Sequence, residues 1–457
     1  MIERLSFKEK LGFGLGDMGA NFIFQALLAL QLFYYTDVFG LSAAQAARLF
    51  LVVGLVAAVF NPVMGVIADR TNTRWGKFRP WLLWTAVPFG ILGILTFTTP
   101  HISFTGKLVY AWVTYLLLRL IYAANNVPYA TLNGVITGDP DERTSIASYR
   151  QVLANSAGFI VQSLAIPMVA FFGHGNSARG FQWTMGLLSI LSVVFFFIAF
   201  ASSKERIQPD PQQKTSLGQD MADLFSNPAF IVLFLATTFY FAALAMRGSV
   251  MLPYFKYNAG NEILFSWFNG FGLAALILGV TLSTWLSKRM GKRPLFILSM
   301  ALTGLFNLAV LFLPATATIP IIGSEVLRQF CFGTSGPLLW AMMGDVADYG
   351  EWKTGRRATG TVTSAVVFAL WVGLAIGGAV AGWLFAYYGY VANVVQTARS
   401  LAGIRLTAGL WSGIAFLATA AVLFFYPISR TLNTAISDDL AGRRKSFGPS
   451  ATAASQE

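Results

Sequence analysis

The chain contains twelve long apolar runs, and each is close to the roughly 20 residues that a helix needs to cross a membrane. Hydrophobic residues make up 56% of the sequence and charged residues 11%, whereas soluble domains carry roughly 25% charged residues. Lipid is therefore the main solvent of this chain. We predict an all-α membrane protein with twelve transmembrane helices.

The runs form two sets of six, separated by a polar connector at residues 202–227. The first set covers residues 11–36, 46–68, 81–98, 108–133, 146–172 and 183–201. The second set covers residues 228–255, 264–286, 294–313, 320–344, 359–386 and 401–426. We predict two pseudo-symmetric six-helix bundles, residues 1–201 and 228–427. A disordered cytoplasmic tail is expected at 428–457.

A weak internal repeat supports this division. ADRTNTRWGKFRPWLL joins helices two and three, and LSKRMGKRPLFIL joins helices eight and nine. Both segments place Gly-Lys among basic residues at the same point of the half, as expected for a duplicated bundle.

The basic residues predict the orientation. About 22 of the 32 Lys and Arg fall in one set of short loops and at the ends of the chain. The positive-inside rule makes these segments cytoplasmic. Both termini are therefore expected on the cytoplasmic side, and the membrane is expected to be a bacterial inner membrane. The same distribution explains the net charge of +12 without a nucleic-acid partner. The lone Cys331 allows no disulfide or metal framework, and no enzyme motif is present, so we do not expect an enzyme. As a separate expectation, the protein is a monomer embedded in lipid.

Polar residues recur every three or four positions in helices one and four, so each of these two sets lies on one helix face, and helix five carries a third polar set. Such faces usually point to a bundle interior or a water-filled cavity. Helix one carries Asp17, Asn21 and Gln25, helix four carries Arg119, Tyr122, Asn126, Tyr129 and Asn133, and helix five carries Arg150, Gln151, Asn155 and Gln162.

The second half is less polar. Helix seven contains Arg247, helix eleven contains Trp371, and Glu325 and Arg328 of helix ten are spaced to form a structural pair. From both halves we predict a polar cavity between the two bundles, screened from lipid.

Several residues have alternative interpretations. The asparagines could serve interhelical hydrogen bonding, and Arg119 could snorkel or pair with an acid. The aromatic residues Phe33, Tyr34 and Tyr35 are expected to face lipid or the interface.

Charged residues at the cytoplasmic ends of the helices are predicted to form a gate that locks the inside when the protein is open outward. The predicted gate residues are Asp69, Arg70, Arg74, Lys77, Asp348, Glu351 and Lys353.

Five segments resemble the glycoside–pentoside–hexuronide:cation symporters of the major facilitator superfamily. They are FGLGDMGANF, YYTDVFGLS, NPVMGVIADRTNTRWGKFRPW, NNVPYATL and GDVADYGEWKTGRR. The resemblance covers essentially the whole chain. It implies a central sugar site and coupling to sodium or protons through acids on helices two and four.

The resemblance carries over only in part to individual residues. Arg150 and Tyr122 match sugar-site residues of the melibiose-permease branch. Acids of that branch fall here on Asn21, Asn126, Ala57 and Asn61, its site tryptophan falls on Ala130, and its helix-eleven lysine falls on Trp371. Without carboxylates on helix two, a sodium site of the family type is not expected, because sodium needs oxygen ligands that offset its charge.

We therefore predict a secondary active transporter of a sugar or glycoside, with proton symport by alternating access and no cofactor or metal. Asp17 is the predicted proton carrier. The predicted substrate ligands are Asn21, Gln25, Tyr122, Asn126, Tyr129, Arg150, Arg247 and Trp371. With Arg150 and Arg247 the cavity would be net positive and would suit an anionic sugar, such as a hexuronide or a sulfonated sugar. A neutral glycoside stays open. An uncoupled facilitator or exporter of the same fold and a lipid transporter are the alternative functions.

Overall fold

A computed structural model describes residues 5–137, 140–206, 224–354 and 359–446. The bounds of its helices are α1 Phe7–Ala29 continued by Gln31–Phe33 and Tyr34–Val38, α2 Ala43–Arg70, α3 Arg79–Thr96, α4 Phe104–Val135, α5 Pro140–Gly173, α6 Ser177–Ser202, α7 Pro228–Pro253 continued by Tyr254–Asn258, α8 Ile263–Met290, α9 Lys292–Leu308 continued by Ala309–Leu311, α10 Thr318–Thr354, α11 Thr359–Tyr387, α12 Ala398–Leu406, Thr407–Trp411 and Ser412–Leu423, and α13 Arg430–Ser446.

Helices α1 to α12 coincide with the twelve apolar runs. Within the described ranges, nine helices are individually long and apolar enough to cross a membrane, and α1 with its 60° bend makes a tenth. The two that do not meet this criterion are α3, which has 18 residues, and α10, whose interior carries Glu325 and Arg328. Both pack inside the same array, so the architecture is the predicted twelve-helix fold.

The packing within each half is the same. In the first half α1 packs against α5 and α6, α2 against α4, and α3 against α4 and α6. Six helices later, α7 packs against α11 and α12, α8 against α10, and α9 against α10 and α12. Equivalent neighbours in both halves are what two pseudo-symmetric bundles require.

The Gly-Lys repeat occupies equivalent turns. Gly76 lies between α2 and α3 with φ 111°, and Gly291 lies between α8 and α9 with φ 88°. Residues with a side chain rarely adopt a positive φ, so glycine is favoured at both turns. At the first turn the Glu205 carboxylate accepts hydrogen bonds from the backbone N–H groups of Lys77, Phe78 and Arg79, at 2.7–2.9 Å.

We call the face that carries both described ends of the chain the inner face, because the basic residues predict that it is cytoplasmic. The opposite face is the outer face. The tail differs from the prediction of disorder over residues 430–446, which form α13. Ile436 and Leu440 of α13 are buried in the core of the second bundle, and this burial holds the helix in place.

A second difference concerns the aromatic residues at the outer end of α1. Phe33, Tyr34 and Tyr35 are fully buried rather than facing lipid, and they pack against Phe39, Phe97 and Phe181. The 60° bend after Ala29 turns this segment across the outer face. Aromatic residues at the end of a span are typical of the membrane interface, and no local sequence signal indicates the bend.

The two bundles meet along three helix pairs, and their close approaches lie in the outer half of the molecule. A Cβ atom on Gly54 of α2 would lie 2.5 Å from the Cβ of Ala375 of α11, and Gly248 of α7 packs on the backbone of Leu28 of α1. Gly270 of α8 similarly packs on Ser163 of α5.

The inner half is more open. There α5 exposes Gln151 and Val152, and α11 exposes Ser364. The close contacts between the bundles named here therefore all lie on the outer side.

Close helix packing gives a first prediction. In Gly377→Ala, the new methyl group would meet the carbonyl oxygen of Ala242 on α7 at 2.2 Å, so we expect a lower melting temperature. Overpacking of this kind costs about 1–3 kcal/mol. Gly186→Ala on α6 is the matched control, because no atom lies within 4 Å of its new methyl group. Thermal unfolding in detergent measures both, and equal effects would contradict the assigned α7–α11 contact.

Candidate functional site

The centre of the first bundle holds an ion pair between α1 and α5. Nε of Arg150 lies 2.9 Å from Oδ2 of Asp17, and both side chains are more than four-fifths buried. The guanidinium also stacks 4.6 Å from the centre of the Tyr129 ring. The two helices are thus joined by charge at the level where α1 and α5 line the inner opening.

The neighbouring polar residues hold this pair in position. Asn21 donates to the backbone oxygen of Asp17 at 2.8 Å, and the Tyr129 hydroxyl accepts from the backbone N–H of Asp17 at 3.1 Å. One turn further out, Gln162 of α5 donates to Gln25 of α1 at 2.9 Å. The predicted polar faces of α1, α4 and α5 therefore come together. Two of these three hydrogen bonds join different helices, and the third, from Asn21, holds Asp17 within α1.

An aromatic layer lies outward of the ion pair and spans the two bundles. Trp371 of α11 packs 5.6 Å from Tyr122 and 6.0 Å from Phe24, measured between ring centres. The guanidinium of Arg119 lies 4.6 Å from the Trp371 ring. The layer separates Asp17, Asn21 and Arg150 on the inner side from a second cavity on the outer side.

The amides at the positions of the family acids behave differently from each other. Asn61 donates to the backbone oxygen of Ala57 at 2.9 Å, one turn back on α2. Asn126 of α4 is half-buried and makes no hydrogen bond with any described residue. Among the described residues, no three His, Cys, Asp or Glu side chains cluster closely enough to hold a metal ion.

Arg247 lies in a separate buried cluster of the second bundle. Its Nη2 lies 2.7 Å from Glu325, and Arg328 binds the same carboxylate at 2.6 Å. All three side chains are at most 4% exposed. Glu325 and Arg328 thus pair as expected from their spacing.

This cluster bears on the expected charge of the cavity. Asp17 pairs with Arg150, whereas Arg247 and Arg328 share the one carboxylate of Glu325, which leaves that cluster with a net positive charge. Arg247 therefore belongs to a buried ion cluster of the second bundle, because a buried guanidinium without a counter-charge is costly.

The predicted gate residues are found at the inner ends of the helices. Arg74 stacks on Trp75 at 4.6 Å, the backbone of Lys77 binds Glu205, and Lys353 stacks on Tyr349 at 4.9 Å. Each of these contacts lies within one bundle, and none of the three joins the two bundles. Arg70 is exposed at the end of α2. Asp348 and Glu351 both interact with other groups, whereas the side chain of Asp69 lies outside the described residues.

The charged contact that joins the bundles lies on the outer face, centred on Asp37. The buried Asp37 carboxylate accepts from Lys256 at 2.8 Å and from the hydroxyls of Tyr257 and Tyr390. Asn393 donates to the backbone oxygen of Asp37 and accepts from Lys256 at 2.8 Å. We call these five residues the outer clasp. It ties the end of α1 to the end of α7 and to the loop before α12.

The outer clasp was missed in the sequence. Its one signal was Asp37 in YYTDVFGLS, which directly follows the apolar run at residues 11–36. Burial and the nearby Asp37 carboxylate raise the pKa of Tyr390, so its hydroxyl stays protonated and remains a donor. The partners from the second half are more than 200 residues away in sequence, and no local pattern connects them.

The fold and the paired polar faces can be compared with known proteins. A family model described as "MFS/sugar transport protein" matches residues 12–430. The chain belongs to this family. Its membership confirms the resemblance seen in the motifs and makes the chain a multi-pass membrane transporter of the major facilitator type rather than an enzyme.

Individual relatives match over nearly the full chain. The inner membrane symporter YicJ of Escherichia coli (strain K12) is 36% identical over 448 residues, with 97% of each chain covered. The isoprimeverose transporter of Lactiplantibacillus pentosus is 34% identical over 428 residues, covering 93% of this chain and 89% of its own. A putative sulfoquinovose importer of Salmonella typhimurium is 29% identical, covering 97% and 94%.

A solved structure agrees with the fold. The crystal structure of a D-xylose-proton symporter superimposes with a TM-score of 0.68, covering 93% of this chain and 99% of that chain. The sequences are only 14% identical, so this likeness establishes the fold alone.

The outer clasp generates a second prediction. Asp37→Asn removes the charge that Lys256 and two hydroxyls bind, so we expect the outer side to open more often. A charge-assisted hydrogen bond contributes about 1.5–3 kcal/mol, so the shift should be roughly tenfold or more. A cysteine at Ser249, which lines the outer cavity, reports opening through its labelling rate with a membrane-impermeant maleimide, in a Cys331→Ala background.

The control for this experiment is Arg399→Gln. Arg399 is an outer cation that bonds to the Tyr387 backbone of its own bundle. Faster labelling in Asp37→Asn alone supports the clasp, and equal labelling in wild type and Asp37→Asn would contradict it.

Proposed function

We propose that this protein is a proton-coupled symporter of a sugar or glycoside that works by alternating access. The single observation that carries the proposal is the Asp17–Arg150 ion pair, which lies on the inner side of the aromatic layer. Amides and hydroxyls surround the pair, and such groups supply the directional hydrogen bonds that sugar hydroxyls need. Membership of a sugar-transport family supports the substrate class.

The ion pair suggests how proton and sugar binding are linked. A sugar whose hydroxyls take the guanidinium of Arg150 would leave the Asp17 carboxylate buried without its counter-charge. A buried unpaired charge is costly, so the carboxylate would take up a proton when the sugar binds. Release of the sugar and the proton restores the Asp17–Arg150 pair. Each ligand thus favours binding of the other, and this reciprocity is what coupled binding requires.

The rocking movement would exchange one closed side for the other. The outer clasp closes the outer side in the present conformation, and the inner ends of the bundles are apart. In the alternative conformation the inner gate residues would come together, as the sequence predicts. In that state Arg70, Arg74 and Lys77 would face the acids Asp348 and Glu351.

The remaining parts of the proposal concern the environment. We place both termini on the cytoplasmic side of a bacterial inner membrane, on the basis of the basic loops. The coupling ion is proposed to be a proton rather than sodium, because the amide of Asn61 is bonded to its own helix and Ala57 offers no ligand. We propose a monomer with a small-molecule sugar, a cation and lipid as its partners.

Asp17→Asn tests the coupling. We expect the variant to lose accumulation of sugar driven by a pH gradient, because no acid remains to carry the proton. It should retain counterflow, in which sugar exchanges down its own gradient. Uptake into proteoliposomes measures both activities. Glu9→Gln is the control, because Glu9 is an ion-paired acid of the same bundle that bonds to Arg206 on the inner face.

Each alternative predicts a different result. Unchanged accumulation in Asp17→Asn would show that Asp17 is not the carrier. Counterflow without accumulation in the wild type would identify an uncoupled facilitator. Sugar-induced thermal stabilisation that depends on sodium but not on pH would instead favour sodium coupling.

A further inference from the structure

A second cavity lies between the bundles, on the outer side of the aromatic layer. Helices α1, α2, α4, α7 and α11 all contribute to its wall, which includes Gln31, Tyr115, Arg119 and Ser249. Of the aromatic layer, Phe24 lines this cavity directly, and Trp371 lies behind the Arg119 guanidinium. The outer clasp lies one to two helical turns further out along α1. A sugar that moves between the two faces has to pass through this space.

Arg119 distinguishes this cavity from the rest of the protein. The residue is 6% exposed, its guanidinium stacks on Trp371, and the hydroxyls of Tyr115 and Tyr122 lie in its electrostatic environment, but it forms no salt bridge with any described residue. Its Nε has no hydrogen-bond partner, and neither does Nε2 of Gln31 in the same wall. The wall therefore presents a buried positive charge without a carboxylate partner among the described residues, next to a Gln31 amide whose polar neighbours are the hydroxyls of Tyr35 and Tyr115.

The other arginines in the interior of the bundles differ from Arg119. Arg150 is paired with Asp17, and Arg247 and Arg328 share Glu325. A buried guanidinium without a carboxylate is costly, as is a buried donor without an acceptor. An arrangement of this kind is stabilised by a ligand that supplies both a negative charge and acceptor oxygens.

We propose that Arg119 and Gln31 bind the acidic group of an anionic sugar, a carboxylate or a sulfonate, and so determine which sugars are transported. This inference rests on the proposed sugar transport and specifies the substrate class. A neutral glycoside would satisfy the donors but leave the charge unbalanced. The planar guanidinium binds carboxylate and sulfonate oxygens with paired donors.

The same geometry gives Trp371 a role. Its ring stacks on the Arg119 guanidinium and belongs to the aromatic layer that separates the outer cavity from the Asp17–Arg150 pair. A sugar whose acidic group is bound by Arg119 would therefore reach the Asp17–Arg150 side only after these aromatic contacts change.

The test compares matched sugars on the purified protein. Calorimetry measures the affinities of methyl β-glucoside, methyl β-glucuronide and the corresponding 6-sulfonated glucoside. We expect the wild type to prefer at least one of the two anionic sugars. Arg119→Gln should weaken binding of that sugar by roughly tenfold to a hundredfold, with less than a twofold change for the neutral glucoside, because one charge-assisted contact is lost.

Two further variants keep the test decisive. Gln31→Glu places a carboxylate in the same cavity wall, so it should pair with Arg119 and abolish the anionic preference while the guanidinium stays in place. Arg179→Gln changes an arginine at the outer start of α6 and should leave all affinities as in the wild type. If Arg119→Gln does not fold, Gln31→Glu answers the question alone.

The outcomes separate this inference from the proposed function. Binding of the neutral sugar without any anionic preference would overturn the role of Arg119 and leave sugar transport standing. Equal losses for neutral and anionic sugars in Arg119→Gln would also overturn it. Competition by sulfate alone, with no preference among the sugars, would indicate an inorganic anion site instead. Absence of binding by every sugar would overturn the proposed function itself.

Discussion

The cost of an unpaired charge in a low-dielectric interior determines most of what is specific about this transporter. Arg150, Arg247 and Asp37 are each buried, and each is matched by an opposite charge on another helix. Breaking a buried pair by removing one partner typically costs about 3–5 kcal/mol. The pairs therefore fix which helices meet and at what height, and they can exchange partners only when a ligand or a proton supplies the missing charge.

This constraint distributes three tasks over three levels of the molecule. The Asp37 cluster closes the outer side, the Asp17–Arg150 pair offers a site for coupled proton and sugar binding, and the Glu325 cluster stabilises the interior of the second bundle. Only the first of these crosses between the bundles. Closure of the outer side is therefore separable from the chemistry of the site, and the two can be perturbed independently.

The aromatic layer completes the arrangement because it divides the path between the two faces. Trp371 comes from the second bundle, whereas Phe24 and Tyr122 come from the first. A movement of one bundle against the other must change these contacts. The layer is thus placed to respond to the sugar and to the conformation of the bundles at the same time.

The sequence by itself determined the twelve helices, their division into two sets, and the polar faces of α1, α4 and α5. It could do so because these features depend on composition and on spacing of three or four residues along one helix. It also indicated the family through local motifs such as RWGKFRPW. The pairing of Glu325 with Arg328 was accessible for the same reason.

The tertiary structure alone decided which charges are neutralised and which side of the molecule is closed. Arg247 was expected in the substrate cavity but pairs with an acid 78 residues away, and Asp37 binds groups more than 200 residues away. Arg119 is the opposite case, a charge that turns out to be unpaired. Its spacing resembles that of its neighbours on α4, and only the fold shows that no carboxylate among the described residues pairs with it. Pairing between distant helices leaves no periodic trace in the sequence, so the charge balance of the cavity could be read only from the packed helices.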